Sequence, residues 1–222
     1  MNVEISRMQE VKNLIEGYQR FHKKYFQEQP EIYNSLFEQG QSPKFLVISC
    51  CDSRVHPAQV MDTVPGDIFV IRNVANLVPV NEVDGKSHGT SAAMEFAIKH
   101  LEVKHIIVFG HSQCGGIKSL MEGDHFDHDY GFIDPWMNIA RSAREHVIHD
   151  YPEEDFASQC ARCEKASIQI SLNNLMTFPW IKERVLAGKL FIHGWYFDID
   201  SGRLFGKQGD QFLPVHELVI DN

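Results

Sequence analysis

Residues 45–54 read FLVISCCDSR, a short and largely apolar run that passes directly into two cysteines and an Asp-Ser-Arg sequence. A run of this length and composition is typical of a strand that is buried on both faces. The predicted strand therefore ends where side chains able to bind a metal or to carry charge begin.

Two similar apolar runs lie at 68–71 (IFVI) and 106–109 (IIVF), and residues 90–101 between them have apolar side chains at helical spacing. Strands that alternate with helices predict an α/β fold, with a mostly parallel central sheet flanked by helices. The other predicted elements are a helix after residue 116, helices at 133–147, 164–175 and 179–186, a strand at 190–197 and a turn at 200–202.

The beginning of the chain has a different pattern. Residues 3–37 are predicted to be helical, because their apolar side chains recur at helical spacing among many charges. Pro30 should divide this stretch into two helices. We expect 1–37 to form an N-terminal helical arm that packs on its own domain or on a partner subunit. No internal repeat or linker is visible, so the 222 residues are predicted to form one domain over 1–222.

Composition narrows the classes of function. The formal net charge is -9 and no long run of Lys or Arg occurs, which argues against binding to nucleic acid or to an acidic membrane surface. The first residues have no signal-peptide core and no apolar stretch is long enough to span a bilayer, so we expect a cytoplasmic protein. Five cysteines, an odd number, favour metal binding, catalysis or burial over a disulfide framework.

A second segment with candidate ligands, GHSQCGG at 110–116, follows the third predicted strand. Ligands bind α/β sheets at the carboxyl ends of neighbouring strands, and two such ends would bring Cys50, His111 and Cys114 together. Two thiolates and an imidazole with one open position are typical of a catalytic zinc site. A strand-terminal Cys is often only a small buried residue, and a His-x-x-Cys pair alone is weak evidence. The joint pattern is stronger, because Asp52 and Arg54 stand beside the first thiol.

Together the two segments resemble the β-carbonic anhydrases, whose signature is Cys-x-Asp-Ser-Arg followed by Gly-His-Ser-x-Cys-Gly-Gly. Residues 69–78 (FVIRNVANLV) and 163–165 (CEK) match the family as well. The resemblance extends from about residue 41 to residue 202 and is a specific match. The sequence also resembles the plant-type branch, which has a glutamine at the position of Gln41.

The resemblance implies reversible hydration of carbon dioxide to bicarbonate on Zn²⁺ bound by Cys50, His111 and Cys114. In the family, the Asp of the first motif either caps the metal as a fourth ligand or pairs with the Arg; here these residues are Asp52 and Arg54. Cys51 lies at a variable position and is not counted as a ligand.

The resemblance also implies a substrate pocket. Gln41 matches a substrate-binding glutamine, Phe69 and Val74 match apolar pocket positions, and Gly115 matches a backbone amide near the metal. His100 falls where some members have a proton-shuttling histidine. Phe96 departs from the family, which often has a Tyr there, so its ring can line the pocket but offers no hydroxyl.

Several alternatives remain open at this point. The same metal site is suited to hydrolysis of carbon disulfide or carbonyl sulfide, and a non-enzymatic zinc-stabilised interaction module would need a closed four-ligand site. Nucleotide binding is excluded, since no Gly-x-Gly-x-x-Gly or Walker sequence occurs. The CxxC pair at 160–163 is interpreted as buried structural cysteines, and the Asp/His-rich loop at 124–129 as a solvated loop. Members of the family assemble as dimers, tetramers or octamers, so we expect a homo-oligomer, most simply a dimer or tetramer.

Overall fold

The computed structural model describes residues 2–123 and 131–218, with side chains from Gln9 onward. The chain divides into two compact units, Met1–Ser42 and Pro43–Asn222. The first corresponds to the predicted arm and is five residues longer than it; the assignment of 1–222 to one domain stays a prediction.

The first unit consists of two helices, α1 (Asn2–Lys23) and α2 (Pro30–Gln39), joined by a π-helical turn at Lys24–Glu28. Pro30 is the first residue of α2, where its missing N–H costs no hydrogen bond, so the predicted division at Pro30 is confirmed. Aromatic rings hold the two helices together: the ring of Phe21 lies 5.8 Å from that of Tyr33.

The second unit is built on a six-stranded sheet. The strands are β1 (Phe45–Cys50), β2 (Ile68–Asn73), β3 (His105–His111), β4 (Phe191–Asp198), β5 (Arg203–Gln208) and β6 (Gln211–Pro214). Their order in the sheet is β2-β1-β3-β4-β5-β6. The first four strands in that order are parallel, and β5 and β6 add antiparallel pairs at one edge, which confirms the predicted fold class.

Helices cover the sheet and bury its apolar face. Leu46, Ile48 and Ile106 are fully buried together with Ile168 of the long helix α8 (Phe156–Leu175). A side chain at Gly110 of β3 would come within 2.7 Å of Ile168, so glycine allows α8 to pack closely on the sheet. The helices of this unit are α3 (Pro57–Val60), α4 (Gly89–Glu95), α5 (Gly115–Glu122), α6 (Ile133–Met137), α7 (Arg141–Asp150), α8 (Phe156–Leu175) and α9 (Pro179–Leu186).

Two predicted helices differ from the observed ones. The helix expected at 133–147 is two helices separated by a 3₁₀ turn at Asn138–Ala140. Helical spacing of apolar residues does not reveal so short a change in the helix type. Helix α8 begins at Phe156, eight residues before its predicted start. The overlooked signal is Asp155, whose carboxylate accepts the N–H of Ser158 at 2.9 Å and caps the helix. Among the described residues, no helix is both long and apolar enough to cross a bilayer.

Candidate metal centre

The three predicted ligands converge at one end of the sheet. Cys50 is the last residue of β1, His111 the last of β3, and Cys114 the N-cap of α5. Their ligand atoms all lie within 4.8 Å of one another, and all three side chains are buried. Strands β1 and β3 are parallel neighbours, so their carboxyl ends meet at this edge and bring together residues about 60 positions apart.

The orientation of His111 supports metal binding. Its Nδ1 lies 2.8 Å from the carbonyl oxygen of Ser112, an acceptor, so Nδ1 carries the proton and Nε2 is left as a lone-pair donor. Among the described residues, Nε2 is buried with no hydrogen-bond partner. A buried nitrogen of this kind is costly unless something binds it. With two thiols at its side, the donor set fits a tetrahedral zinc ion.

The two cysteines interact directly. A hydrogen bond between the thiols lowers the pKa of Cys50 and raises that of Cys114, as expected for two groups that share one proton. The Asp52 N–H also donates to Cys50 Sγ, at 3.4 Å. The pair therefore favours a thiolate on one of its two sulfurs, and thiolates are the form that binds a metal.

Asp52 and Arg54 form a two-point ion pair next to the three ligands. Arg54 Nη2 donates to Asp52 Oδ2 at 2.7 Å and Nε donates to Oδ1 at 3.0 Å. Hydrogen bonding from the guanidinium holds the pKa of Asp52 below its usual range. Arg54 Nη2 also donates to the carbonyl of Gln113 at 2.9 Å, which links the two sequence motifs. In this structure both carboxylate oxygens of Asp52 are engaged by Arg54.

Arg72 on β2 fixes the loop that carries these groups. Its Nε donates to the carbonyl of Cys50 at 2.9 Å, and its Nη2 to those of Asp52 at 2.7 Å and Val55 at 3.2 Å. The loop leaves the sheet at the end of β1, so its carbonyls have no strand partner there. One guanidinium satisfies three of them and sets the position of Asp52.

Glu164 and Tyr196 form a hydrogen-bonded pair behind Cys114, the second cysteine ligand. Glu164 is 4% exposed; its Oε1 accepts the N–H of Cys114 at 2.9 Å and its Oε2 accepts the hydroxyl of Tyr196 at 2.8 Å. Burial raises the pKa of both side chains. Sequence reasoning assigned no role to either, although Glu164 lies in the CEK match. Only the packing of α8 against β4 shows that Glu164 reaches Cys114.

Glu164→Gln is expected to weaken zinc binding about 10- to 100-fold, the usual effect of losing a partner behind a metal ligand. The amide can accept at only one end, so either the Cys114 N–H or the Tyr196 O–H loses its acceptor. Chelator competition measures the affinity. Glu183→Gln, an exposed glutamate on α9, is the control and should leave it unchanged. Equal affinities for Glu164→Gln and wild type would contradict this role.

Two of the predicted pocket residues lie near the ligands. A side chain at Gly116 would come within 2.8 Å of Val74, so Val74 packs directly against the start of α5, and the glycine permits this approach. Gly115 is the first residue of α5, where backbone N–H groups have no partner within the helix. Their roles in substrate binding stay predictions.

Three other predicted residues form a separate cluster. The ring of Phe69 lies 6.1 Å from that of Phe96, which stacks on His100 at 5.2 Å. Phe69 pairs in register with Leu46, four residues before the level of Cys50, a distance of about 13 Å along the strand. Within one chain, the structure therefore does not bring this cluster to the metal ligands.

The remaining candidates lie elsewhere. Gln41 is exposed in the first unit, after α2, and its role stays a prediction. Cys160 and Cys163 are buried on α8, and burial raises the pKa of Cys163 to about 12, which suits a structural cysteine. The loop at 124–129 lies outside the described residues.

Comparison with known proteins agrees with this geometry. A family model described as carbonic anhydrase matches residues 45–204. Beta carbonic anhydrase 3 of Arabidopsis thaliana is 37% identical over 199 residues, which are 89% of this chain and 76% of that protein. Beta carbonic anhydrase 5, chloroplastic, of the same plant is 43% identical over 178 residues, 80% of this chain but only 58% of that protein.

A solved structure, that of the β-carbonic anhydrase CcaA, superimposes with a TM-score of 0.86 at 33% identity and covers 92% of this chain and 99% of that one. The family model matches a stretch that includes strands β1 to β4 and all three candidate ligands, and the family is one of enzymes. The chain therefore belongs to the β-carbonic anhydrase family.

Proposed function

We propose that this chain is a zinc-dependent enzyme that reversibly converts carbon dioxide and water into bicarbonate and a proton. The observation that carries the proposal is the buried convergence of Cys50, His111 and Cys114 within 4.8 Å, with the Asp52–Arg54 pair beside it. Family membership supplies the reaction.

The ligand set supports zinc as the metal. Cys50 and Cys114 would provide two thiolates and His111 the Nε2 lone pair, a combination that zinc accepts in tetrahedral sites. When bound, zinc acts as a Lewis acid and lowers the pKa of a coordinated water towards neutrality, as it does in the three-histidine carbonic anhydrases.

The remaining residues position the reactants. Arg54 holds the Asp52 carboxylate ionised, so this carboxylate can only accept hydrogen bonds. It would accept one from the attacking water and so aim the lone pair of the water at carbon dioxide. Val74 would form an apolar wall for the uncharged substrate. The Gly115 N–H, at the start of α5, would stabilise the negative charge that develops on the substrate oxygen.

Metal removal and replacement tests this function. The purified protein should contain one zinc per chain and hydrate carbon dioxide in a stopped-flow assay. Pyridine-2,6-dicarboxylate should remove both metal and activity, and zinc alone should restore them. A zinc protein that releases hydrogen sulfide from carbonyl sulfide but does not hydrate carbon dioxide would contradict the proposed substrate.

The first unit supports a homo-oligomer. Its helices present large apolar side chains to solvent, among them Leu14 at 77% and Phe37 at 91% exposure. Apolar surface of this kind marks an interaction site. A second copy of the chain would cover this apolar surface. It would also explain why Phe69 and Phe96 lie apart from the metal ligands of their own chain, because both rings would line the pocket of the neighbouring subunit. The cytoplasmic location stays a prediction.

Light scattering should give a mass of at least twice 25.5 kDa for the wild-type protein. Leu14 and Tyr18 are one helical turn apart on α1. Replacing both with Glu should shift the mass towards the monomer, because it places charge on the face that a second copy would cover. Leu186→Glu, at a side chain 75% exposed outside the arm, is the control and should not change the mass. A monomeric wild-type protein would contradict the assembly.

A further inference from the structure

An open cavity of about 1450 Å³ lies in the second unit, and its wall connects the neighbourhood of the metal ligands with a histidine. Asn73, which pairs in register with Cys50, and Val74, which packs against Gly116, form the wall nearest the ligands. His88 lines the same cavity. One open space therefore reaches from residues that flank the metal ligands to His88, and Cys50, His111 and Cys114 lie just outside its lining.

The segment that carries His88 is held against this wall. The hydroxyl oxygen of Thr90, at the start of α4, accepts a hydrogen bond from the side-chain nitrogen of Asn73 at 3.4 Å. Asn73 in turn donates to the carbonyl of Leu77 at 2.8 Å and accepts the Leu77 N–H at 2.9 Å. These hydrogen bonds tie the loop before α4 to the end of β2.

His88 is paired with a carboxylate that fixes its tautomer. Its Nε2 lies 2.6 Å from Asp84 Oδ1, and hydrogen bonding from His88 holds the pKa of Asp84 below its usual range. An ionised carboxylate only accepts, so Nε2 donates and Nδ1 is left as an acceptor. Among the residues that the structure describes, the other charged groups here are Lys86, whose Nζ is 3.1 Å from Asp84, and Glu82, which also lines the cavity.

The proposed reaction releases a proton that must leave the site. Each turnover converts carbon dioxide and water into one bicarbonate and one proton. His100, the shuttle implied by the family resemblance, stacks on Phe96 in the cluster that lies apart from the ligands of its own chain and that would face a neighbouring subunit's pocket. His88 opens onto the cavity that begins beside them, and its side chain is 37% exposed, so it can exchange protons with buffer.

We propose that His88, oriented by Asp84, accepts the proton of each hydration cycle at Nδ1 through water in this cavity and returns it to solvent. The imidazolium formed is balanced by the Asp84 carboxylate. Loss of the same proton to buffer then restores the neutral ring. This inference rests on the proposed function.

Stopped-flow hydration at low buffer concentration tests the role of His88. His88→Ala should lower kcat by about tenfold or more and leave kcat/KM unchanged. The expected fall in kcat is smaller than the usual contribution of a general acid or base. Carbon dioxide conversion precedes proton release, so only kcat reports the transfer. Added imidazole buffer should restore kcat. Asp84→Asn should lower kcat by a smaller factor.

His146→Ala is the matched control. Like His88, His146 pairs with a carboxylate four residues away in the sequence, with its Nδ1 3.0 Å from Asp150. It does not line this cavity. This variant should keep the wild-type kcat. Thermal unfolding of each variant checks that the fold is retained.

The outcomes separate the two proposals. If wild type hydrates carbon dioxide and His88→Ala keeps the full kcat at low buffer, the shuttle role is wrong and the proposed function stands. A parallel fall in kcat and kcat/KM would show a structural role instead and also overturn it. If wild type shows no hydration, both fall.

A crystal structure of the zinc-loaded protein gives a readout that is independent of activity. Ordered waters should link His88 Nδ1 to the space between Cys50, His111 and Cys114. A cavity filled by protein, with no connected water, would contradict the proposal.

Discussion

Replacing His111 with alanine is expected to abolish stoichiometric zinc binding and to lower kcat/KM for carbon dioxide hydration by at least about 10³-fold, because the reaction depends on the metal. The imidazole is one of the three candidate ligands that converge here in the part of the chain that the structure describes. Its Nε2 has no hydrogen-bond partner among the described residues, which leaves its lone pair available to the metal. Elemental analysis gives zinc per chain, and stopped-flow hydration gives the rate.

Cys51→Ser provides the matched control for the corresponding change at the ligand Cys50. The two cysteines are adjacent, but Cys50 is buried among the ligands whereas Cys51 is exposed. Cys50→Ser should behave like His111→Ala, and Cys51→Ser like wild type. Full zinc content and full rate in His111→Ala would show that the metal, if any, is bound elsewhere.

Asp52→Asn is expected to keep zinc and to lower kcat/KM by about 10²-fold, within the range for a group that accepts a proton or hydrogen bond from the nucleophile. The amide has one acceptor and one donor end, so it cannot pair with Arg54 through both atoms and also accept from the attacking water. The charge that holds Arg54 near Gln113 is lost as well. Hydration kinetics with metal analysis on the same sample measure both effects.

Glu154→Gln is the control for this change. Glu154 also forms a two-point pair with an arginine, since Nε and Nη2 of Arg162 each donate to it at 2.6 Å, but the pair is exposed and lies outside the metal centre. Its loss should leave kcat/KM at the wild-type value. An Asp52→Asn variant with unchanged kcat/KM would contradict the positioning role, and loss of zinc would identify Asp52 as a required ligand.

The sequence sufficed to predict that the three candidate ligands converge, because each lies next to a strong local signal. Apolar runs mark β1 and β3, and Cys50 and His111 end those strands. Parallel neighbours bring such ends together whatever the rest of the chain does. The predicted α/β sheet and the three ligands thus follow from short-range patterns combined with one general rule of topology.

The groups behind the ligands could not be predicted in the same way. Glu164 lies 50 residues from Cys114, and Arg72 lies 22 residues from Cys50. A buried glutamate and an arginine within a strand have no local pattern that names their partner. Their contacts depend on where α8 and β2 pack, which is set by many apolar contacts together.

The pocket residues show a different limit. Resemblance to a family assigns Phe69 and Phe96 to a pocket, but it does not state which chain's pocket they line. The register of β2 against β1 places Phe69 about 13 Å from the level of Cys50. The conflict disappears if a second copy is present, so the separation of these residues becomes an argument for assembly.

X-ray absorption at the zinc edge of the purified wild-type protein tests the central claim most directly. The account predicts two sulfur neighbours at about 2.3 Å and nitrogen or oxygen neighbours at about 2.0–2.1 Å, in four-coordinate geometry. Four sulfur neighbours, or zinc surrounded by nitrogen and oxygen alone, would show that Cys50, His111 and Cys114 do not hold the metal.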